Sequence, residues 1–162
     1  GTYGTLVRLV CFVPQHEAFV VERLGRFSRI LRGGIHLLIP WVDRVRAKVD
    51  LREQVLSVTE NPVIARDHLV TYIDVAVDYT VIDPKAATYE VVDLRKDMQR
   101  FIVLYLREVL ATIDREVAVS RRHQIANQLR SRLYRVTEPW GIRINQFELS
   151  MPGLDGQSVQ GM

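Results

Sequence analysis

The sequence predicts an α+β domain in which a strongly bent antiparallel sheet is covered on one side by helices. The first half holds short apolar runs that alternate with polar residues or are separated by glycine turns, as in strands and hairpins. The second half holds longer segments whose apolar residues recur at helical spacing. A chain of 162 residues, with 48% hydrophobic and 25% charged residues, fits one globular domain.

Three short strand candidates stand close together near the N-terminus. They cover residues 18–21, 27–31 and 35–39, and glycine turns at Gly25 and Gly33–Gly34 separate them. Glycine reaches positive φ without a steric penalty, so both positions predict tight hairpin turns. The segment therefore predicts a small β-meander whose last strand leads into an apolar tip.

Alternating segments continue the sheet through the middle of the chain. Residues 45–51 alternate apolar and charged side chains, and the pattern resumes at 63–65 after a break at Asn61–Pro62. A turn at 66–68 leads into a long strand over 69–81, with apolar side chains on one face and polar ones on the other. A register shift of one residue would bury the carboxylates of the polar face, so the pairing should be well determined.

Three helices are predicted in the second half. Asp83 is a suitable N-cap with proline directly after it, which predicts a short helix over 84–90. A longer helix over 94–110 has one broad apolar face. A third helix is predicted from an N-cap at Ser120 to about Glu138.

The end of the third helix and the strand after it are also predicted. Pro139 should stop the helix, because proline lacks a backbone N–H and clashes with the preceding turn. Gly141 can adopt the left-handed conformation of a helix stop. Residues 142–147 then alternate apolar and polar side chains, as a last strand would.

The tip at Ile35–Trp41 is the first candidate functional surface. Six of its seven residues are apolar or interfacial, and tryptophan beside aliphatic side chains is typical of a water–lipid interface. Nearby arginines would face an anionic leaflet; an ordinary core hairpin is the alternative. These arginines are Arg29, Arg32, Arg44 and Arg46. The predicted lipid contacts are Ile35, Leu37, Leu38, Ile39, Pro40 and Trp41.

Leu104 marks a second candidate surface, a contact between copies of the chain. It falls outside the apolar face of the 94–110 helix, with Arg100 and Arg107 one turn away on either side. Net charge alternates along the chain, and the acidic block at 51–98 could meet this basic rim in a neighbouring copy. A solvated face with one exposed leucine is the alternative.

The sequence offers no positive case for an enzyme. Its four histidines are isolated, and it contains neither a glycine-rich phosphate loop nor a Gly-x-Ser-x-Gly motif. Asp74 and Asp78, on one strand face, fit solvated carboxylates better than a catalytic pair. The lone Cys11 excludes an internal disulfide and a cysteine-based metal cluster. We predict no cofactor and no metal, and the net charge of +3 argues against a nucleic-acid partner.

A series of short blocks, in order, resembles the stomatin/prohibitin domain, also called the SPFH or band 7 domain, in its stomatin-like branch. The first blocks are Val13-Pro14-Gln15, residues 20–27, Arg29-Ile30-Leu31, Leu38-Ile39-Pro40 and Asp43-Arg44-Val45. The later blocks are Asp50-Leu51-Arg52, Arg66-Asp67, Asp83-Pro84 with Ala86-Ala87, Leu106-Arg107 and Trp140-Gly141-Ile142. The first group is specific, whereas the second is convincing through its order.

The resemblance implies a membrane-associated scaffold and no catalysis. Members of this family assemble side by side on a membrane, organise the local lipid and restrain partners such as membrane proteases or ion channels. The expected setting is a bacterial cytoplasmic membrane or the mitochondrial inner membrane. The rival hypothesis is a soluble peptide-binding module that uses an exposed strand edge.

Domain boundaries follow from the same comparison. We expect an N-terminal segment at 1–12, which is an anchor remnant or a tail, the SPFH domain at 13–150, and a flexible tail at 151–162. The apolar stretch at 5–13 contains Arg8 and is far shorter than the roughly 20 residues of a spanning helix. The family's anchor usually precedes this domain and its coiled coil follows it. We therefore expect peripheral attachment or an anchor upstream, and no large ring from these residues alone.

Overall fold

The computed structural model describes residues 9–152 and confirms the α+β class. Its strands and helices form two compact units. The first contains the described part of Gly1–Glu53 together with Thr80–Val92 and Pro139–Ile142. The second contains Gln54–Tyr79, Asp93–Glu138 and the described part of Arg143–Met162.

The described part of the first unit contains five strands and a short helix. Strands β1 and β4 pair as an antiparallel two-stranded ribbon, and β3, β2 and β5 form a sheet in that order. Three of these strands, β2, β3 and β4, lie where the meander was predicted, but only β2 and β3 pair with each other. The prediction of a hairpin at Gly33–Gly34 is wrong, because β4 pairs with β1 and not with β3. The elements are β1 (Leu9–Val13), β2 (Glu17–Arg23), β3 (Arg26–Leu31), β4 (Gly34–Leu38), β5 (Asp43–Asp50) and α1 (Pro84–Tyr89).

The core of this unit lies between the ribbon and the three-stranded sheet. Apolar side chains from β1 and β4 meet those from β2 and β3, and Cys11 and Val45 pack against them at the edge. The ribbon therefore turns one face toward the core. The buried members of this cluster are Val13, Phe19, Val21, Leu31 and Leu38.

Where the structure describes it, the second unit combines a sheet of three strands with three helices. The strand order is β6-β7-β8, and the second helix of the protein packs against β6 and against the fourth helix. The predicted break at Asn61–Pro62 is wrong, because both residues pair with β7 inside one continuous strand, and the register shifts just before them, between Val58 and Asn61. The elements are β6 (Gln54–Ile64), β7 (Val70–Val81), β8 (Ile142–Ser150), α2 (Leu94–Leu110), α3 (Arg115–Ser120) and α4 (Arg122–Thr137).

Strand β7 confirms the predicted alternation with one correction. Its buried side chains run from Thr71 to Val81 at every second position. Leu69, the first residue of the predicted strand and one of its apolar side chains, precedes the observed strand and is exposed. Thr71 takes the buried position instead, and its hydroxyl has no hydrogen-bond partner within the part of the chain that the structure describes.

The start of α4 differs from the prediction. Ser120 is the last residue of α3, a helix that the sequence did not predict, and its hydroxyl donates to the carbonyl of Val117 over 2.9 Å. It therefore does not cap α4, which begins directly after Arg121 without a side-chain cap.

No helix of the described range is long and apolar enough to cross a bilayer.

The predicted stop after α4 is confirmed. The helix ends at Thr137, and a 3₁₀ turn at Glu138–Trp140 leads to Gly141 with φ of +74°. A Cβ at Gly141 would lie 2.5 Å from the Cβ of Asp83, so both the backbone angle and the space require glycine. The Gly141 carbonyl accepts hydrogen bonds from the amides of Ile82 and Asp83.

The predicted outer segments are only partly described. Residues 9–12 belong to β1, so the boundary predicted at residue 13 falls inside a strand. Met151 is fully buried, so the tail predicted from residue 151 does not begin there. The rest of both segments lies outside the described residues.

Candidate functional site

The outer face of the β1–β4 ribbon is an exposed apolar surface. Val10 lies opposite Leu37 and Phe12 opposite Ile35, and these pairs alternate with the residues that face the core. The exposed fractions are 71% for Val10, 68% for Phe12, 71% for Ile35 and 46% for Leu37. Directly opposed side chains on one face of an antiparallel pair contact each other. The four side chains therefore form one patch, called here the ribbon face.

The sequence did not predict that Val10 and Phe12, half of the ribbon face, are exposed. Val10 and Phe12 alternate with Cys11 and Val13, but all four are apolar, so their pattern does not show which pair faces solvent. Their pairing with β4 spans more than twenty positions, and local periodicity carries no information about it.

A tight loop between β4 and β5 presents Trp41. This residue has φ of +70°, a left-handed conformation that is strained for a bulky side chain, and it is fully exposed. The loop is closed by Asp43, whose amide donates to the Ile39 carbonyl over 2.8 Å. The Ile39 amide in turn donates to the Asp43 carboxylate over 3.0 Å. Trp41 is thus held outside the core by its neighbours' hydrogen bonds.

Arginines on β2 and β3 complete the surroundings of Asp43, whose side chain is inaccessible to solvent. Arg23 binds it through two nitrogens at 2.7 and 3.2 Å, and Arg29 lies 3.7 Å away. The hydrogen bonds from Arg23, followed by the one from the Ile39 amide, lower the pKa of Asp43 to about 2. The carboxylate therefore stays ionised and holds the loop at physiological pH.

A second apolar side chain lies beside this loop. Leu24, in the β2–β3 turn, has φ of +55° and is 78% exposed. Its amide donates to the Val42 carbonyl over 2.9 Å, which joins the two loops. Leu24 and Trp41 therefore both project from adjacent loops of the first unit.

The structure divides the predicted lipid contacts. Ile35, Leu37 and Trp41 are exposed, and Ile39 and Pro40 are half-buried. Leu38 is only 8% exposed and belongs to the core, so its assignment to a lipid contact is wrong. It sits on the inner face of the ribbon because it follows Leu37 directly, and successive strand residues point to opposite faces. Lipid contact by the other residues stays a prediction.

Most of the arginines predicted to face lipid are engaged by carboxylates. Arg29 lies beside Asp43 and also donates to the Leu37 carbonyl. Arg44 and Arg46 lie 3.1 and 3.5 Å from Glu22, whose pKa is lowered first by a hydrogen bond from the Tyr89 hydroxyl. The fourth, Arg32, is exposed and forms no ion pair with another described residue. The basic contribution to this surface is therefore smaller than the sequence indicated.

The second predicted surface lies on α2. Leu104 is 54% exposed, which confirms the helical phase derived from the sequence. It lines a shallow groove of 380 Å³ with Arg100 and Arg107. Arg100 is partly neutralised, because it forms an ion pair with Asp97 at 3.0 Å. A contact between copies at Leu104 stays a prediction.

Comparison with known proteins gives a consistent result. A family model described as SPFH domain / Band 7 family matches residues 12–160. An uncharacterized protein of Mycobacterium tuberculosis is 42% identical over 144 residues, which are 89% of this chain and 38% of the relative. Human stomatin-like protein 2, mitochondrial, is 33% identical over 141 residues, 87% of this chain and 40% of the relative. The chain thus spans less than half the length of these relatives.

Proposed function

Because the chain belongs to the SPFH domain / Band 7 family, we propose that it is the scaffold domain of a membrane-associated protein and has no catalytic role. In this proposal the protein assembles laterally, organises membrane microdomains, and restrains membrane proteins such as proteases or channels. Its setting is a bacterial cytoplasmic membrane or the mitochondrial inner membrane, with peripheral attachment or an anchor upstream. The observation that carries the proposal is the ribbon face, which would rest on lipid.

The ribbon face is unusual because its exposed apolar side chains are contiguous. Isolated exposed hydrophobic residues are common, whereas adjoining ones mark contact surfaces. Its four members are supported from behind by the buried core of the first unit. Such a surface keeps its shape when it meets a bilayer, so little conformational entropy is lost on binding.

The expected strength of a single contact is modest. Full burial of a Val, Leu, Ile or Phe side chain contributes about 1.5–3 kcal/mol, and these four are about half to seven-tenths exposed. Their sum, on the order of 4–8 kcal/mol, does not exceed the roughly 8 kcal/mol of a micromolar complex. Trp41 adds to it, and lateral assembly multiplies it, because linked contacts bind with a raised effective concentration.

Co-sedimentation with vesicles tests the ribbon face directly. The variant Phe12→Ser/Ile35→Ser removes one residue from each strand, and we expect its binding to vesicles of mixed anionic and zwitterionic lipid to fall about tenfold or more. The matched control is Ile64→Ser/Val92→Ser, which removes two exposed apolar side chains elsewhere. Equal binding by both double variants, each with the wild-type melting temperature, would refute lipid contact through this face.

A peptide-binding module is the second candidate. Within the described residues each ribbon strand has one strand partner, so each leaves an open edge to which a peptide could add. The same vesicles separate the two functions, because a module of this kind would ignore lipid.

A further inference from the structure

Helix α4 carries an uncompensated positive charge. It contains four arginines and no aspartate or glutamate. None of these arginines forms an ion pair with any residue in the described range. Arg122 donates to a backbone carbonyl, and Arg130 and Arg132 lie over the rings of Tyr134 and Tyr105, but none of these contacts neutralises a positive charge. Two of the four, Arg132 and Arg135, lie three residues apart on the helix.

A groove of 680 Å³ runs beside these two arginines. Tyr105 of α2 and polar side chains of α4 line it, including Gln124, Gln128, Arg132 and Arg135, and none of its lining residues is acidic. Glu108 of α2 acts electrostatically on the Tyr105 hydroxyl but does not line the groove.

The groove is partly organised in advance. The Arg132 guanidinium lies 5.5 Å from the centre of the Tyr105 ring, and the Tyr105 hydroxyl donates to Gln128 over 3.4 Å. Tyr105 itself is nearly buried, so this wall of the groove is fixed by the packing of α2. An arginine held over an aromatic ring loses less freedom when it binds a carboxylate.

We propose that this groove binds an extended, acidic segment of a partner protein. Arg132 and Arg135 are three residues apart on one helix, which places their Cβ atoms about 5–6 Å apart. In an extended peptide, side chains on one face recur every second residue, about 6.6–6.8 Å apart. Carboxylates at alternate positions would therefore each meet one arginine, while Gln124 and Gln128 bind the peptide backbone. This inference does not depend on the membrane proposal, since it uses none of the ribbon face.

Two other anionic partners fit less well. A surface that binds a bilayer carries projecting apolar side chains. Among the described residues of α4, the exposed large hydrophobic side chain is Tyr134, and it lies outside the groove. A single-stranded nucleic acid needs exposed aromatic faces for its bases, and Tyr105 is covered. A concave, amide-lined groove fits a peptide.

Fluorescence anisotropy on the purified chain tests the proposal with a labelled peptide of alternating glutamate and serine. We expect saturable binding that weakens as salt is raised, and no binding of the peptide with glutamine for glutamate. The variant Arg132→Gln/Arg135→Gln should bind at least about tenfold more weakly. The matched variant Arg121→Gln/Arg130→Gln removes the same charge outside the groove and should change binding less than about threefold.

Equal losses in both double variants, or equal binding of the glutamine peptide, would overturn the proposal. So would tighter binding of an oligonucleotide or anionic vesicles with the same dependence on Arg132 and Arg135. Should the groove variant melt early, Ser131→Glu places a competing carboxylate in the groove and must also weaken peptide binding.

Discussion

Asp43 shows how a single carboxylate shapes a candidate contact surface. Its side chain is inaccessible to solvent, and it binds Arg23 from β2 and the Ile39 amide from the loop. Those bonds offset the loss of its hydration, which is why a buried charge is tolerated here. The carboxylate also closes the loop that presents Trp41, so a side chain enclosed by protein holds a predicted lipid contact in place.

We expect Asp43→Asn to destabilise the protein at neutral pH, because the ion pair with Arg23 is lost. The expected cost is only about 1–2 kcal/mol, since Arg23 is partly exposed and solvent screens its charge. The folded-state pKa of about 2 lies below the usual 3.8. Asp43 therefore stabilises the fold fully above pH 4 and loses this effect as the pH falls toward 2. Urea unfolding of both proteins at pH 7, 4 and 3 should show the difference shrinking.

Asp97→Asn serves as the control for that measurement. Its ion pair with Arg100 is exposed, so we expect a change below about 0.5 kcal/mol. A gap between wild type and Asp43→Asn that stays constant from pH 7 to pH 3 would contradict the role given to ionised Asp43.

At the scale of elements, the bounds and exposed face of helix α2 could be predicted from the sequence, whereas the pairing of the ribbon strands β1 and β4 could not. The α2 periodicity fixed both its length and the exposure of Leu104, because helix phase is a local property. In β4, Leu37 and Leu38 are equally apolar, so only the pairing with β1 decides which one faces the core. The six-residue helix α3 was not predicted because it is too short to show a clear helical periodicity of apolar residues. Ser120 also suits the start of a helix as well as its end.

Leu104→Glu should disrupt high-order assembly of the full-length protein if α2 forms the contact. A carboxylate at this position would replace the apolar centre of the contact, while Arg100 and Arg107 could pair with it within the same helix. We therefore expect an unchanged or slightly higher melting temperature together with smaller particles by light scattering.

Val92→Glu is the matched control for Leu104→Glu, because Val92 is also exposed and apolar but lies outside α2. Assembly that survives Leu104→Glu would exclude this helix face. A large fall in melting temperature would instead show that Leu104 supports the fold.

At the scale of the whole molecule, charge and exposed apolar surface are unevenly distributed. Residues 1–50 and 99–148 each carry a net charge of +4, and residues 51–98 carry −4. If copies of the chain associate, complementary charge blocks would guide their approach but would hold them only weakly at physiological salt. The α2 surface around Leu104 offers one exposed leucine among charged residues, far from the apolar core of a permanent interface.

We therefore predict that the 162-residue chain alone is a monomer or a small oligomer at micromolar concentration. A stable interface buries about 800 Å² on each partner, and the α2 groove is too small to supply that area. Light scattering coupled to size exclusion checks this, and a ring of many copies formed by this chain would show that the globular domain contains the assembly contacts.

The exposure of Trp41 has a spectroscopic consequence. The protein has two tryptophans, and Trp41 is fully exposed whereas Trp140 is half-buried. Indole emission moves to shorter wavelength when the ring leaves water, so contact of the Trp41 loop with a bilayer would shift the intrinsic fluorescence against a steady contribution from Trp140. The Trp41→Phe variant would lose that shift and keep the background, which makes the loop an optical reporter of its own surroundings.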